Sequence, residues 1–287
     1  MPSLLITVNE LLTRLKSPDT VILDCSYSLA QPEQGFQDYL RAHIPGAVYA
    51  HLEKDLSSRM TPTTGRHPLP SKKNFAHSLA SWGWQPGKRI VVYDSSGGTS
   101  AAARAWWLCR YFGLSDAYLL DGGLNAWMQA GFPLESNLPA GKAAVAQPAQ
   151  FTTNENMVIS TAEMQAVRGS AGTLLLDGRA AIRYQGLEET IDTVAGHIPG
   201  AVSLPVTSFL QEDQRLLTVP AIQRLAANLI PAGTSQVVYY CGSGVTAVLG
   251  ILALELAGYP GIKLYPGSFS EWIRQPRAEI ASLNHRN

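Results

Sequence analysis

The chain has 287 residues, 46% of them apolar and 15% charged, a globular composition with room for two ordinary domains. Its 22 basic and 22 acidic residues cancel, so it carries no electrostatic footprint for nucleic acid or an anionic membrane surface. Three cysteines, Cys25, Cys109 and Cys241, without C-x-x-C spacing argue against a disulfide framework or a thiolate metal site, and for a reducing compartment, by default the cytoplasm.

In chain order, "SLLITVNELLTRL" reads as a short strand or turn followed by a helix. No basic residue precedes its apolar run and no small-residue cleavage site follows, so it is not read as a signal peptide. "VILDCS" is a strand ending near Asp24, "AHIPGAVYAHL" runs from Ala42 to Leu52, and "AARAWWLCRYF" is an apolar helix that buries Cys109. "LLDGGLNAW" ends at Trp127. After it, "PLESNLPAGKAAVAQPAQFTTNEN" has linker composition without an apolar period.

Beyond the linker the same series returns in the same order. "LLLDGR" around Asp177 answers "VILDCS", and "GHIPGAVSLPV" answers "AHIPGAVYAHL". "VVYYCGSGVTAV" answers "VVYDSSGGTSAA", and "LYPGSFSEW" answers "LLDGGLNAW". Four matches at nearly constant separation mean a duplicated domain, predicted at residues 1–138 and 156–287 around a 139–155 linker.

Within the second copy, Ser160 or Thr161 caps a helix, "TLLLD" and "QVVYY" are strands, and Pro220 sits in the first turn of "VPAIQRLAANLI". "VTAVLGILALELAG" is interrupted by Glu255, stops at Gly258 and falls short of the roughly 20 apolar residues that cross a bilayer. Strands apolar on both faces, alternating with helices, predict an α/β fold: in each copy a mainly parallel sheet covered by helices on both sides.

Cys241 ends such a strand, where open α/β sheets bind their ligands. The residues after it, Gly242, Ser243, Gly244, Val245 and Thr246, let the backbone curl so that its N–H groups and the next helix form an anion cradle. A thiolate is stabilised there, as is a negative sulfur attached to it. Free cysteines also serve as small buried hydrophobes, which is the reading given to Cys25 and Cys109. The first copy places Ser95 in the corresponding frame. A phosphatase loop would need an arginine six positions after the cysteine, where Ala247 stands, and a P-loop would need a lysine that neither glycine-rich stretch has.

The chain resembles the two-domain rhodanese-like sulfurtransferases through "HIPGA" in both halves, "LLDGGLNAW", "YPGSFSEW" and "CGSGVTA". The resemblance implies two tandem rhodanese-like domains and a catalytic cysteine in the second, with Ser95 marking the first copy as silent. It implies that Cys241 takes sulfur from a small anionic donor as a persulfide, without metal or organic cofactor. Cyanide, a thiol or a thioredoxin-like protein is the implied acceptor. "CGSGVT" looks like the mercaptopyruvate branch, since thiosulfate-preferring relatives usually carry basic residues after the cysteine. In that branch Ser243 would work with His67 and Glu53 as a proton relay, and Arg183 would bind the donor's anionic end. One departure stands out. A second arginine is expected before "GHIPG", yet no Lys or Arg lies from Tyr184 to Gly196, and Glu188, Glu189 and Asp192 appear instead. Arg66 is the candidate to replace that charge. Alternatives are a thiosulfate-specific enzyme with the same mechanism, a rhodanese-like binding module without catalysis, and a cysteine phosphatase.

Overall fold

Val21, Ile22 and Leu23, and Val238, Tyr239 and Tyr240, are buried without alternation, which is what central strands of a parallel sheet covered on both faces require. The computed structural model describes residues 4–99, 101–136 and 151–283; most of the predicted linker lies outside them. These residues form two units. Among the described residues the first draws on 4–58, 69–99, 101–136, 151–154 and 210–216, and the second on 59–68, 155–209 and 217–283. Neither is a plain half of the chain, because each includes a short segment from the other's run of sequence.

In the first unit the strands are β1 (Leu5–Ile6), β2 (Thr20–Asp24), β3 (Val48–Tyr49), β4 (Arg89–Tyr93) and β5 (Ala117–Leu120). Its helices are α1 (Val8–Leu12), α2 (Gln34–Arg41), α3 (Lys72–Ser81), α4 (Ala102–Tyr111) and α5 (Gly123–Gln129). The sheet runs β1-β5-β4-β2-β3 with every pairing parallel. Segment 210–216 is fixed to this unit by Leu216 N–H donating to Asp121 Oδ1 at 3.0 Å and Asn125 Nδ2 donating to Gln214 Oε1 at 2.7 Å.

The second unit holds α6 (Thr161–Val167), β6 (Thr173–Asp177), α7 (Ala181–Gln185), β7 (Ala201–Ser203), α8 (Val219–Leu229), β8 (Gln236–Tyr240), α9 (Ala247–Leu256), β9 (Lys263–Leu264) and α10 (Ser268–Trp272). Its sheet is β7-β6-β8-β9, again parallel throughout. Ser160, not Thr161, caps α6. Its hydroxyl accepts the Glu163 N–H and the Glu163 carboxylate accepts the Ser160 N–H, a reciprocal capping box. Helix α9 is buried from Ala247 to Leu254 and lies hard against β8: a Cβ on Gly250 would sit 2.1 Å from the Tyr239 ring. Among the described residues no helix is long and apolar enough to cross a membrane.

The duplicated strand-end aspartates differ in their partners. Arg179 grips Asp177, whereas Asp24 accepts the Ser26 N–H at 2.9 Å and has no such fork. Burial therefore pushes the Asp24 carboxyl up to about 6, against the hydrogen bonds from Ser26. The unfolded chain gives up this proton near pH 4 and the folded one only near 6, so stability falls as pH rises across that interval and stays lower above it. Asp24→Asn is expected to remove that slope and raise the unfolding free energy at pH 7 by about 2 kcal/mol. Urea unfolding at several pH values checks it, and an unchanged slope overturns it.

Candidate active site

Cys241 follows directly on β8, and α10 supports it from beneath. Its N–H donates to Ser268 Oγ at 3.1 Å, and its carbonyl accepts the Phe269 N–H at 3.0 Å. The Gly242 carbonyl accepts the Ser270 N–H at 2.9 Å. Glycine is obligatory at 244: φ is +74°, and a Cβ there would lie 2.4 Å from the Pro266 carbonyl oxygen. Cys241, Ser243 and Val245 are all buried, and Thr246 leads into α9 without capping it by its side chain. The predicted loop from Gly242 to Thr246 is thus a tight curl between a strand end and a ten-residue helix.

The first unit corrects the expected equivalence of Ser95 with Cys241. Tyr93 pairs with Asp24, and Tyr240 pairs with Asp177. Both tyrosine hydroxyls accept an isoleucine N–H, from Ile44 and Ile198 respectively. The next carbonyl after each tyrosine accepts an N–H from the following strand–helix turn: Leu124 to Asp94, Phe269 to Cys241. Asp94, not Ser95, therefore occupies the cysteine's place. Its fully buried carboxylate accepts N–H groups from Ser96 at 2.9 Å, Gly98 at 2.8 Å and Ala102 at 3.1 Å. In the first unit the turn is thus filled by the Asp94 side chain, held by three backbone N–H groups.

The other two thiols lie outside this loop and are fully buried. Cys109, on α4, is pushed up to about 12, and Cys25 lies well above its ordinary value through burial and the nearby Asp24 and Asp94 charges. Both stay protonated at neutral pH, in keeping with a packing role.

Segment 59–68 brings two predicted residues to the cysteine loop. It is tied to the second unit by Gly65 N–H to Glu271 Oε2 at 3.0 Å, Arg66 N–H to Ser270 Oγ at 3.1 Å, and Arg274 Nη1 to the Thr64 carbonyl at 2.6 Å. His67 Nδ1 consequently lies 2.8 Å from Ser243 Oγ, and both side chains are buried. The third proposed relay member, Glu53, belongs to the first unit, where its carboxylate accepts the Tyr27 hydroxyl at 2.8 Å.

Arg66 and Arg183 converge on the same loop. A Cβ on Gly242 would lie 2.7 Å from Arg66 Nη2 and 3.7 Å from Arg183 Nη1. Arg66 also binds Asp192, and Arg183 binds Asp192 at 2.9 Å and Glu189 at 2.8 Å. No Lys or Arg lies from Tyr184 to Gly196, and the guanidinium beside Arg183 at this loop comes from residue 66. Arg183 pairs with Glu189 and Asp192 rather than with Glu188. Sequence reasoning treated these acids as a simple loss of positive charge. It also missed Ser270 and Glu271, whose hydrogen bonds hold segment 59–68; "SFSEW" contained them, but nothing in it announces a partner two hundred residues earlier.

Comparison with known proteins identifies the family. The model of the rhodanese-like domain matches twice, over residues 7–130 and 160–275. A probable 3-mercaptopyruvate sulfurtransferase of Pseudomonas aeruginosa is 44% identical, covering 97% of this chain and 98% of that one. A putative thiosulfate sulfurtransferase of Mycobacterium tuberculosis is 36% identical, covering 96% of each. The solved 3-mercaptopyruvate sulfurtransferase of Leishmania major superposes with a TM-score of 0.84 at 30% identity, covering 95% of this chain and 75% of that one.

Proposed function

The chain belongs to the rhodanese-like family and is a sulfurtransferase; from that premise we propose that Cys241 carries sulfur as a persulfide, with 3-mercaptopyruvate as the preferred donor. The supporting observation is the convergence of the Arg66 and Arg183 guanidiniums on Gly242, next to the nucleophile. An arginine fork suits a carboxylate, and the two would hold the donor with its sulfur towards Cys241.

The Cys241 thiolate attacks the donor sulfur. The S–S bond forms as the donor's C–S bond breaks, and the electron pair passes to carbon as the enolate of pyruvate. Ser243 and His67, in hydrogen-bond contact, hold a proton that the enolate can take, and Glu53 is the proposed third member of the relay. The acceptor, cyanide, a small thiol or a thioredoxin-like protein, then attacks the outer sulfur and releases the Cys241 thiolate. A cytoplasmic setting would keep that thiol reduced.

Thiosulfate is the second reading, favoured by the relative of that name in Mycobacterium tuberculosis. Two measurements decide. Incubation with donor alone is expected to add one sulfur to the peptide containing Cys241, and sulfur on another residue, or on none, would sink the proposal. Steady-state kinetics at matched acceptor should give the higher kcat/KM with 3-mercaptopyruvate. For Arg66→Ala, the loss of a charge-assisted contact of about 1.5–3 kcal/mol should raise donor KM by about 10- to 100-fold, with kcat changed less. An unchanged KM removes Arg66 from the site.

A further inference from the structure

Asp192 is a buried carboxylate to which the reading above gives no task. Its side chain is 2% exposed, and its two oxygens hold different arginines: Oδ1 holds Arg66, and Oδ2 holds Arg183 Nη2 at 2.9 Å. The segment carrying it is tied down. Asp192 N–H and Ile191 N–H both donate to Glu189 Oε1 at 2.9 Å, and Arg183 Nε donates to the same carboxylate at 3.0–3.1 Å. Burial would raise the Glu189 carboxyl, but the Arg183 bond and the two N–H groups outweigh it and hold the group below the usual range.

Two guanidiniums side by side repel each other, and a carboxylate bridging them offsets that repulsion and fixes their spacing. Asp192 leaves part of each arginine for another ligand. Arg66 Nη2 and Arg183 Nη1 face Gly242, and Arg66 Nε is buried without a hydrogen-bond partner. The bridge also cancels charge. With Arg179 held by Asp177 and lying near Glu189, the cluster sets three arginines against three carboxylates. A donor arriving at Cys241 meets directed N–H groups but little surplus positive charge.

We propose that Asp192 is a positioning residue that sets donor specificity: by bridging Arg66 and Arg183 it favours a donor with a single carboxylate over a dianion such as thiosulfate. The proposal rests on the reading of those arginines as the donor's binding groups. Removing one negative charge from the site acts twice as strongly on a dianion as on a monoanion, so the preference must move in a stated direction.

The test is kcat and KM of the full chain with thiosulfate and with 3-mercaptopyruvate, for the unaltered protein, Asp192→Asn and Asp192→Glu, over a range of salt concentrations. Asp192→Asn should raise the thiosulfate-to-mercaptopyruvate ratio of kcat/KM by about tenfold or more, equivalent to about 1.4 kcal/mol. The change should appear chiefly in KM, with steeper salt dependence for thiosulfate. Asp192→Glu, which keeps the charge, should stay near the unaltered ratio. An unchanged ratio, or an equal loss with both donors, overturns the proposal. Should Asp192→Asn fail to fold, competitive inhibition of the unaltered protein decides. Pyruvate must inhibit more strongly than sulfate at equal ionic strength, and the reverse order refutes the idea. Absence of turnover with either donor, with no sulfur on Cys241, is a different result and removes the underlying reading as well.

Discussion

Cys241→Ser is expected to leave the fold intact and to lower sulfur transfer by at least about 10⁴-fold, the scale on which loss of a covalent nucleophile acts. The loop is held by its backbone, through the contacts of Cys241 and Gly242 with α10, so a serine keeps every one of those bonds. What it lacks is a sulfur that can carry another sulfur. Cys25→Ser and Cys109→Ser are the controls, since burial holds both thiols protonated and neither should be needed for sulfur loading. Intact mass after incubation with donor, together with turnover in the presence of an acceptor, reads all three variants. Sulfur loading that survives in Cys241→Ser and vanishes in Cys25→Ser would move the nucleophile to the first unit and refute the assignment.

The second large effect is on stability. Arg179→Met should cost about 3–5 kcal/mol, the usual penalty for leaving one member of a buried ion pair alone, and lower Tm by about 10 °C in a protein of this size. Arg179 and Asp177 side chains are 1% and 0% exposed. The fork is bidentate, with Nε to Oδ1 at 3.0 Å and Nη2 to Oδ2 at 2.6 Å, and Nη2 also donates to the Gly196 carbonyl at 2.7 Å. The guanidinium lies 3.9 Å from the Phe269 ring centroid, over the residue that holds the Cys241 carbonyl. Methionine retains most of the volume, so the loss reports charge rather than a cavity. Adding Asp177→Asn should recover part of it, because both charges are then absent. A single variant as stable as the parent, by urea unfolding at pH 7, would show that Asp177 finds another partner.

Much of this was legible in the sequence because the signals are local. The apolar runs of β6 and β8, the helix cap at Ser160 or Thr161 and Pro220 at the start of α8 are set by neighbours a few residues apart. The repeat was legible too, up to a slip of one residue. Keeping "VVY" aligned set Ser95 against Cys241, whereas strand register, pinned by tyrosine hydroxyls on Ile44 and Ile198, sets Asp94 there. The first loop runs longer before its helix, and a letter-by-letter match cannot tell on which side the extra residues fall. Long-range pairing was legible only through the family resemblance, which set His67 beside Ser243; the bridge between Arg66 and Asp192 escaped. Arg66 meets Asp192 across more than a hundred residues, and no periodicity marks either of them.

The dependence of residues 217–287 on residues 59–68 has an evolutionary edge. Here the first half of the sequence encodes His67 and Arg66, which sit in the second unit, so deleting it would remove both side chains from the cysteine loop. A chain that kept only the later half would have to supply a histidine and an arginine anew, so the two copies are bound together by more than their common origin.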